Sequence, residues 1–166
     1  LMLGICNGFQ ALIKLGLVPY GEIRPIDESC PTLTFNTLHR HQSMLVTTRV
    51  ASTLSPWLAK CEPGALHTIA ISHGEGRFVA SGALLEQLAA AGQIATQYTT
   101  PDGAPSMDLR YNPNGSVWAV EGITSPDGRV LGKMGHSERR GVNLYKNVPG
   151  DTWQPLFEGG VAYFAL

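Results

Sequence analysis

Cysteine is scarce in this sequence, and its scarcity excludes a disulfide scaffold. The three cysteines, Cys6, Cys30 and Cys61, are odd in number and form no Cys-x-x-Cys pair, so a reducing, cytoplasmic compartment is expected. An excess of one charge sign is also missing. A formal net charge of −1 offers no basic field for nucleic acid or an anionic membrane. There is no long apolar run, so no transmembrane helix is expected. Leu1 to Val18 superficially resembles a signal peptide, yet it lacks a basic leading region and is interrupted by Asn7, Gln10 and Lys14. No Gly-x-x-x-x-Gly-Lys-Ser/Thr loop occurs, so no ATP site is expected in this chain. Repeats and low-complexity tracts are absent. The 166 residues, 43% of them hydrophobic, suffice for one domain with one core.

Against these absences stands the run Leu1-Met2-Leu3-Gly4-Ile5-Cys6-Asn7-Gly8-Phe9-Gln10. It reads as a buried strand, a Gly-x-Cys-x-Gly turn and a helix beginning near Gln10. In hydrolases with Gly-x-Ser-x-Gly, this architecture is a nucleophile elbow that pushes the central side chain into the open. Glycine is expected at both flanks because a Cβ would crowd the neighbouring backbone. A helix N-terminus favours the thiolate of Cys6, and its free amides suit an oxyanion. Taken alone, Cys6 equally fits a buried small hydrophobe.

A partner for the thiol is encoded far along the chain. Gly132-Lys133-Met134-Gly135-His136-Ser137-Glu138-Arg139 follows a Pro126-Asp127-Gly128 turn signal, with a strand expected over Arg129 to Met134. If the backbone stays extended through Ser137, His136 and Glu138 point to the same side. A carboxylate so placed holds an imidazole in one tautomer, as a Cys–His–acid triad requires. A surface His-x-Glu loop is the competing reading.

Between these ends, α and β signals alternate. Phe9, Leu12 and Ile13 recur at helical spacing until Gly16 and Pro19. Thr32 to Leu38 and Ser43 to Val50 read as an antiparallel pair joined around His39-Arg40-His41. Ser55 to Leu58 resembles a short helix start. Gly64 to Ser72 reads as a strand delivering His73-Gly74-Glu75-Gly76-Arg77 into a loop, where open α/β sheets place ligand sites. Ala83 to Ala91 is a helix closed by Gly92. Gln93 to Thr99 and Ser116 to Thr124 are further strands, separated by a Pro/Gly/Asn-rich loop. Leu156, Phe157, Gly160, Val161 and Phe164 mark a C-terminal helix. His39 and His41 lack the carboxylates or cysteines of a zinc site and are assigned to structure, with no metal expected. His67 receives no role.

Four strings occur in order: Gly4-Ile5-Cys6-Asn7-Gly8-Phe9-Gln10, Ile71-Ser72-His73-Gly74-Glu75-Gly76-Arg77, Asn112-Pro113-Asn114-Gly115-Ser116 and Gly135-His136-Ser137-Glu138-Arg139. Together they resemble the class I glutamine amidotransferase domain of phosphoribosylformylglycinamidine synthase, an enzyme of purine biosynthesis. The resemblance runs from the elbow to the C-terminal Gly159-Gly160-Val161-Ala162-Tyr163-Phe164. It implies an α/β three-layer sandwich of flavodoxin-like type. It also implies hydrolysis of glutamine by Cys6, His136 and Glu138, with Asn7, Gly8, Gln10, His73, Gly74 and Glu75 around the substrate. Ammonia would pass to a synthetase portion of the same polypeptide, where ATP and Mg²⁺ act on formylglycinamide ribonucleotide. No cofactor is implied for this chain itself.

Two departures from the family pattern shape the expectations. Ser137 stands where many members of the wider class have proline, which resembles a branch of large single-chain synthases. The chain also starts at Leu1, on the strand feeding the elbow. In the family, earlier strands complete the sheet, and a glycine-containing loop there supplies a second oxyanion amide. Residues 1–166 are therefore expected to be the C-terminal part of a glutaminase domain. A lost oxyanion donor costs about 10²–10³-fold in rate, so the isolated piece is expected to be feeble. A related cysteine hydrolase without an ammonia acceptor, and a silent docking fragment, are the competing functions.

Overall fold

The computed structural model describes residues 1–165. In chain order the elements are β1 (Met2–Ile5), α1 (Asn7–Leu15), the single helical turn α2 (Leu17–Tyr20), β2 (Thr32–Phe35), β3 (Gln42–Val50), β4 (Leu66–His73), β5 (Glu75–Val79), α3 (Gly82–Ala90), β6 (Ile94–Thr99), β7 (Val120–Thr124), β8 (Val130–Lys133) and α4 (Leu156–Phe164). Six strands form one sheet in the order β1-β8-β7-β6-β3-β4, and β2 pairs with β5 in a small second sheet. Among the described residues only β1 and β8 are parallel; every other pairing is antiparallel.

Two apolar clusters cover the two faces of the large sheet, which makes three layers. On one face Phe9, Leu12 and Ile13 of α1 pack with Leu85 and Leu88 of α3, with Leu33 and Phe78 of the small sheet, and with Ile94 and Ile123. On the other face Leu156 of α4 and Leu58 of a 3₁₀ turn cover Val50, Ala95 and Leu131. The alternation is the pleat at work: Ile94 and Ala95 are neighbours in β6 and enter opposite clusters. Burying each large side chain of these clusters contributes about 1.5–3 kcal/mol. The α/β three-layer expectation describes this architecture.

Several local expectations are corrected. Helix α1 begins at Asn7 rather than near Gln10, so the first helical amides lie directly behind Cys6. The segments around β2 and β3 do not pair with each other. The Asn36 side chain closes the intervening turn, donating to the Arg40 carbonyl at 2.7 Å and accepting the Leu38 amide at 3.1 Å. The chain thereby leaves the small sheet and enters the large one, where β3 pairs with β4 and β6. His73-Gly74-Glu75-Gly76-Arg77 is not a loop: His73 ends β4 and Glu75 already belongs to β5. A 3₁₀ turn at Val117–Ala119 occupies the start of the strand expected over Ser116 to Thr124.

Candidate active site

The turn between β1 and α1 carries backbone strain at one residue. Cys6 has φ 55° and ψ −109°, in the left-handed half of backbone space that non-glycine residues avoid. Such a conformation costs about 1–3 kcal/mol and persists only where the surroundings over-determine it. They do: the Cys6 amide donates to the Lys133 carbonyl at 2.9 Å, and the Cys6 carbonyl accepts the Gln10 amide at 3.2 Å. The flanking glycines divide in role. A Cβ on Gly4 would lie 2.7 Å from the Gly8 carbonyl group, whereas one on Gly8 would meet nothing within 4 Å. The expected crowding therefore holds for Gly4 and fails for Gly8.

The thiol does not rest in the electrostatic state that the helix terminus alone suggests. Cys6 is buried, and desolvation pushes its pKa above the ordinary value, against the lowering influence of the Asn7 amide and Arg139. Desolvation is the largest of these influences because burial disfavours the charged thiolate, and Glu138 adds to it.

His136 reaches the same region from β8. The strand ends at Lys133, one residue short of expectation, and the chain bends at Met134-Gly135. An isolated bridge to Ala70 then catches the backbone, with the His136 amide donating to the Ala70 carbonyl at 2.8 Å. Beyond it the chain turns rather than staying extended, and the Arg139 amide donates to the His136 carbonyl at 3.2 Å. That turn, not strand alternation, brings the Glu138 carboxylate onto His136 Nδ1. With a carboxylate acceptor there, the ring proton sits on Nδ1 and Nε2 presents a lone pair. His136 Nε2 is buried and has no partner among the described residues.

Cys6 and His136 line one cavity of about 580 Å³ with Asn7, Gln10, His73, Gly74 and Glu75. Gly8 lies outside its lining, and Glu138 also lies outside the lining, hydrogen-bonded to the Nδ1 side of His136. Gln10 Nε2 donates to the Glu75 main-chain carbonyl at 3.3 Å and to its carboxylate at 3.4 Å. His73 is buried with neither ring nitrogen partnered among the described residues, and desolvation, with His136 adding to it, lowers its pKa to about 4. Its ring is thus neutral at ordinary pH.

The cavity also contains residues that sequence reasoning missed. His41, assigned to structure, lines it and meets the Ser72 hydroxyl at 3.0 Å through Nε2. Ile5, Phe35, Ser72 and Arg139 complete the wall. No local sequence signal marks His41, since it reaches the cavity only through the pairing of β3 with β4, in which Gln42 opposes His73. The Asn112 to Ser116 loop stands behind the wall. Its Ser116 hydroxyl accepts the Phe78 amide at 3.1 Å, and its Asn114 side chain donates to the Tyr98 hydroxyl at 3.2 Å.

A strained cysteine between strand and helix thus lines the same polar cavity as a carboxylate-backed imidazole, an arrangement of residue types that suits nucleophilic acyl transfer. Residues 1–164 match the model of the CobB/CobQ-like glutamine amidotransferase domain, and the chain belongs to that family. Similar curated proteins bear the name phosphoribosylformylglycinamidine synthase subunit PurQ. That of Gloeobacter violaceus is 37% identical over 162 residues, covering 98% of this chain and 63% of its own length. That of Synechocystis is 39% identical over 149 residues, covering 90% and 61%. A solved structure of PurLQS from Thermotoga maritima shares the fold, with a TM-score of 0.71 and 24% identity over 99% of this chain and 62% of the other. The chain thus spans about three-fifths of the length of these relatives. They are named as subunits, so the single-chain arrangement read from Ser137 has no counterpart among them.

Proposed function

We propose that this chain hydrolyses the side-chain amide of glutamine and supplies the ammonia to a formylglycinamide ribonucleotide synthetase in purine biosynthesis. Cys6 Sγ attacks the carboxamide carbon, with His136 Nε2 taking the thiol proton. This assistance is needed because burial raises the thiol pKa and so disfavours the nucleophilic thiolate. The tetrahedral oxyanion faces the Asn7 amide, which as the first residue of α1 has no intrahelical acceptor. His136 returns the proton to the departing nitrogen, the C–N bond breaks, and a glutamyl thioester and ammonia result. Water, deprotonated by His136, then attacks the thioester, releasing glutamate and restoring the thiol. Glu138 keeps the Nδ1 proton in place and stabilises the imidazolium between the steps.

Gln10, His73, Gly74 and Glu75, with the backbone of Asn7, make up the proposed glutamine pocket. The family and the names of the relatives support the substrate and the pathway. The observation that carries the chemistry is His136 Nε2, unpartnered among the described residues, on the residue that shares a cavity with Cys6. ATP and Mg²⁺ belong, in this reading, to the synthetase, and the site of action is the cytoplasm. Ser137 favours a synthetase fused to this chain, and the relatives' names favour a separate subunit; the mass of the intact protein on a denaturing gel decides between them.

A diazoketone analogue of glutamine tests the reading. It should alkylate Cys6 in the intact protein, and free glutamine should protect. Labelling spread evenly over Cys6, Cys30 and Cys61, unaffected by glutamine, would end the glutaminase reading.

A further inference from the structure

Lys133 and Glu121 form a fully buried ion pair, Nζ to Oε1 at 3.3 Å, with both side chains at 0% exposure. Paired charges with no access to water seldom stabilise a fold more than well-packed apolar residues of the same volume. What distinguishes this pair is where its remaining hydrogen bonds go. Lys133 Nζ donates to the Gly135 carbonyl at 2.8 Å and to the Ser137 hydroxyl at 3.0 Å, the two residues that bracket His136. Glu121 Oε1 accepts the Gly135 amide at 2.5 Å, and its Oε2 accepts the Thr96 hydroxyl. Ser137 in turn donates to Gln154 at 2.5 Å. The main chain of the same lysine faces the other half of the site: β8 pairs Lys133 with Ile5, and the Lys133 carbonyl accepts the Cys6 amide.

The geometry points to Lys133 and Glu121 as positioning residues that fix the His136 turn relative to the Cys6 elbow. This rests on the proposed Cys6–His136 chemistry and adds the part that sets its alignment. One residue ties both reacting segments, so its ammonium controls how far the imidazole stands from the sulfur. Misplacement of reacting groups by about 1 Å costs on the order of 10²-fold in rate.

The test removes both charges together in the intact protein, as Lys133→Met with Glu121→Gln, which leaves no unpaired buried ion. The expected variant keeps the wild-type circular dichroism, loses on the order of 10²-fold in kcat for glutamine hydrolysis and moves KM by less than about threefold. Iodoacetamide alkylation of Cys6, followed by peptide mapping, should slow to the rate seen in His136→Asn. Adding the pair substitution to His136→Asn should slow it no further. A folded pair variant with wild-type kcat and Cys6 alkylation overturns the inference, as does a further fall in the His136→Asn background, which marks general loosening. If His136→Asn itself leaves alkylation and hydrolysis unchanged, the failure lies with the glutaminase reading. Should the pair variant not fold, Ser137→Ala carries the same test: a fall in kcat alone supports the inference, and wild-type values overturn it.

Discussion

Gln10 on the first turns of α1 donates to the main chain and to the carboxylate of Glu75 at the start of β5, 65 residues away. The contact fastens the helix behind the elbow to the small sheet and closes one wall of the cavity. A partly exposed hydrogen bond of this kind contributes about 0.5–1.5 kcal/mol. Gln10→Ala should lower stability by about that amount in urea denaturation and raise KM for glutamine with kcat nearly unchanged, measured by steady-state glutamate release. A fall in kcat at constant KM would remove Gln10 from the substrate wall.

The strain at Cys6 predicts an unusual stability ranking. Cys6→Ala and Cys6→Gly both delete the nucleophile and should abolish hydrolysis. Glycine tolerates φ 55° at no steric cost, whereas alanine keeps the strain. Cys6→Gly should then be the more stable of the two by about 1–3 kcal/mol, less the entropy glycine adds to the unfolded chain. Urea denaturation of the two variants measures this, and the reverse order would show that the elbow is unstrained.

Gly76 admits the His73 ring to the cavity wall. A Cβ there would lie 2.7 Å from Met134 Cε, 2.9 Å from His73 Cε1 and 3.0 Å from Asn114 Nδ2. The methionine end can yield, but the imidazole and the hydrogen-bonded Asn114 are held by their surroundings. Gly76→Ala should destabilise by about 1–3 kcal/mol and raise KM for glutamine. Unchanged stability and KM would show that the wall has slack.

Buried neutral His73 makes stability depend on acid. Its pKa of about 4 in the folded chain lies below the ordinary value of 6.5. Between these values the unfolded state binds the proton that the folded state refuses, so stability rises with pH. The contribution is complete above pH 6.5 and is lost as pH falls toward 4, by about 3 kcal/mol in all. His67, lowered by burial as well, acts in the same direction. Urea unfolding at intervals across this window should show the slope, and His73→Asn should flatten it. An equal slope in wild type and variant would assign the acid sensitivity elsewhere.

Parts of the site were legible because they depend on short-range chemistry. Gly4 and Cys6 mark a strand-to-helix turn through glycine's small size and the cysteine between strand and helix signals. His136 and Glu138 were identifiable as partners, although the reason differed: a turn, not an extended strand, joins them. The helix around Leu12 followed from apolar spacing, and the one around Leu85 from helix-forming residues closed by Gly92. Strand partners were not legible. Thr32 to Phe35 carries the same β-rich signal whether it pairs with β3 or with β5, and the choice rests on the Asn36 side chain closing a turn.

The order of residues along the chain showed by itself the alternation of α and β elements, the strand-to-helix turn at Cys6 and the cysteine, histidine and glutamate whose chemistry is proposed for the site. These are set by local backbone preference and by the intrinsic reactivity of side chains. Only the tertiary structure decided that His41 joins the cavity while Gly8 does not, that burial raises the Cys6 thiol pKa, and that Lys133 meets Glu121 beneath the His136 turn. Each of those depends on desolvation or on contact between segments distant in sequence, and neither is expressed until the sheets have packed.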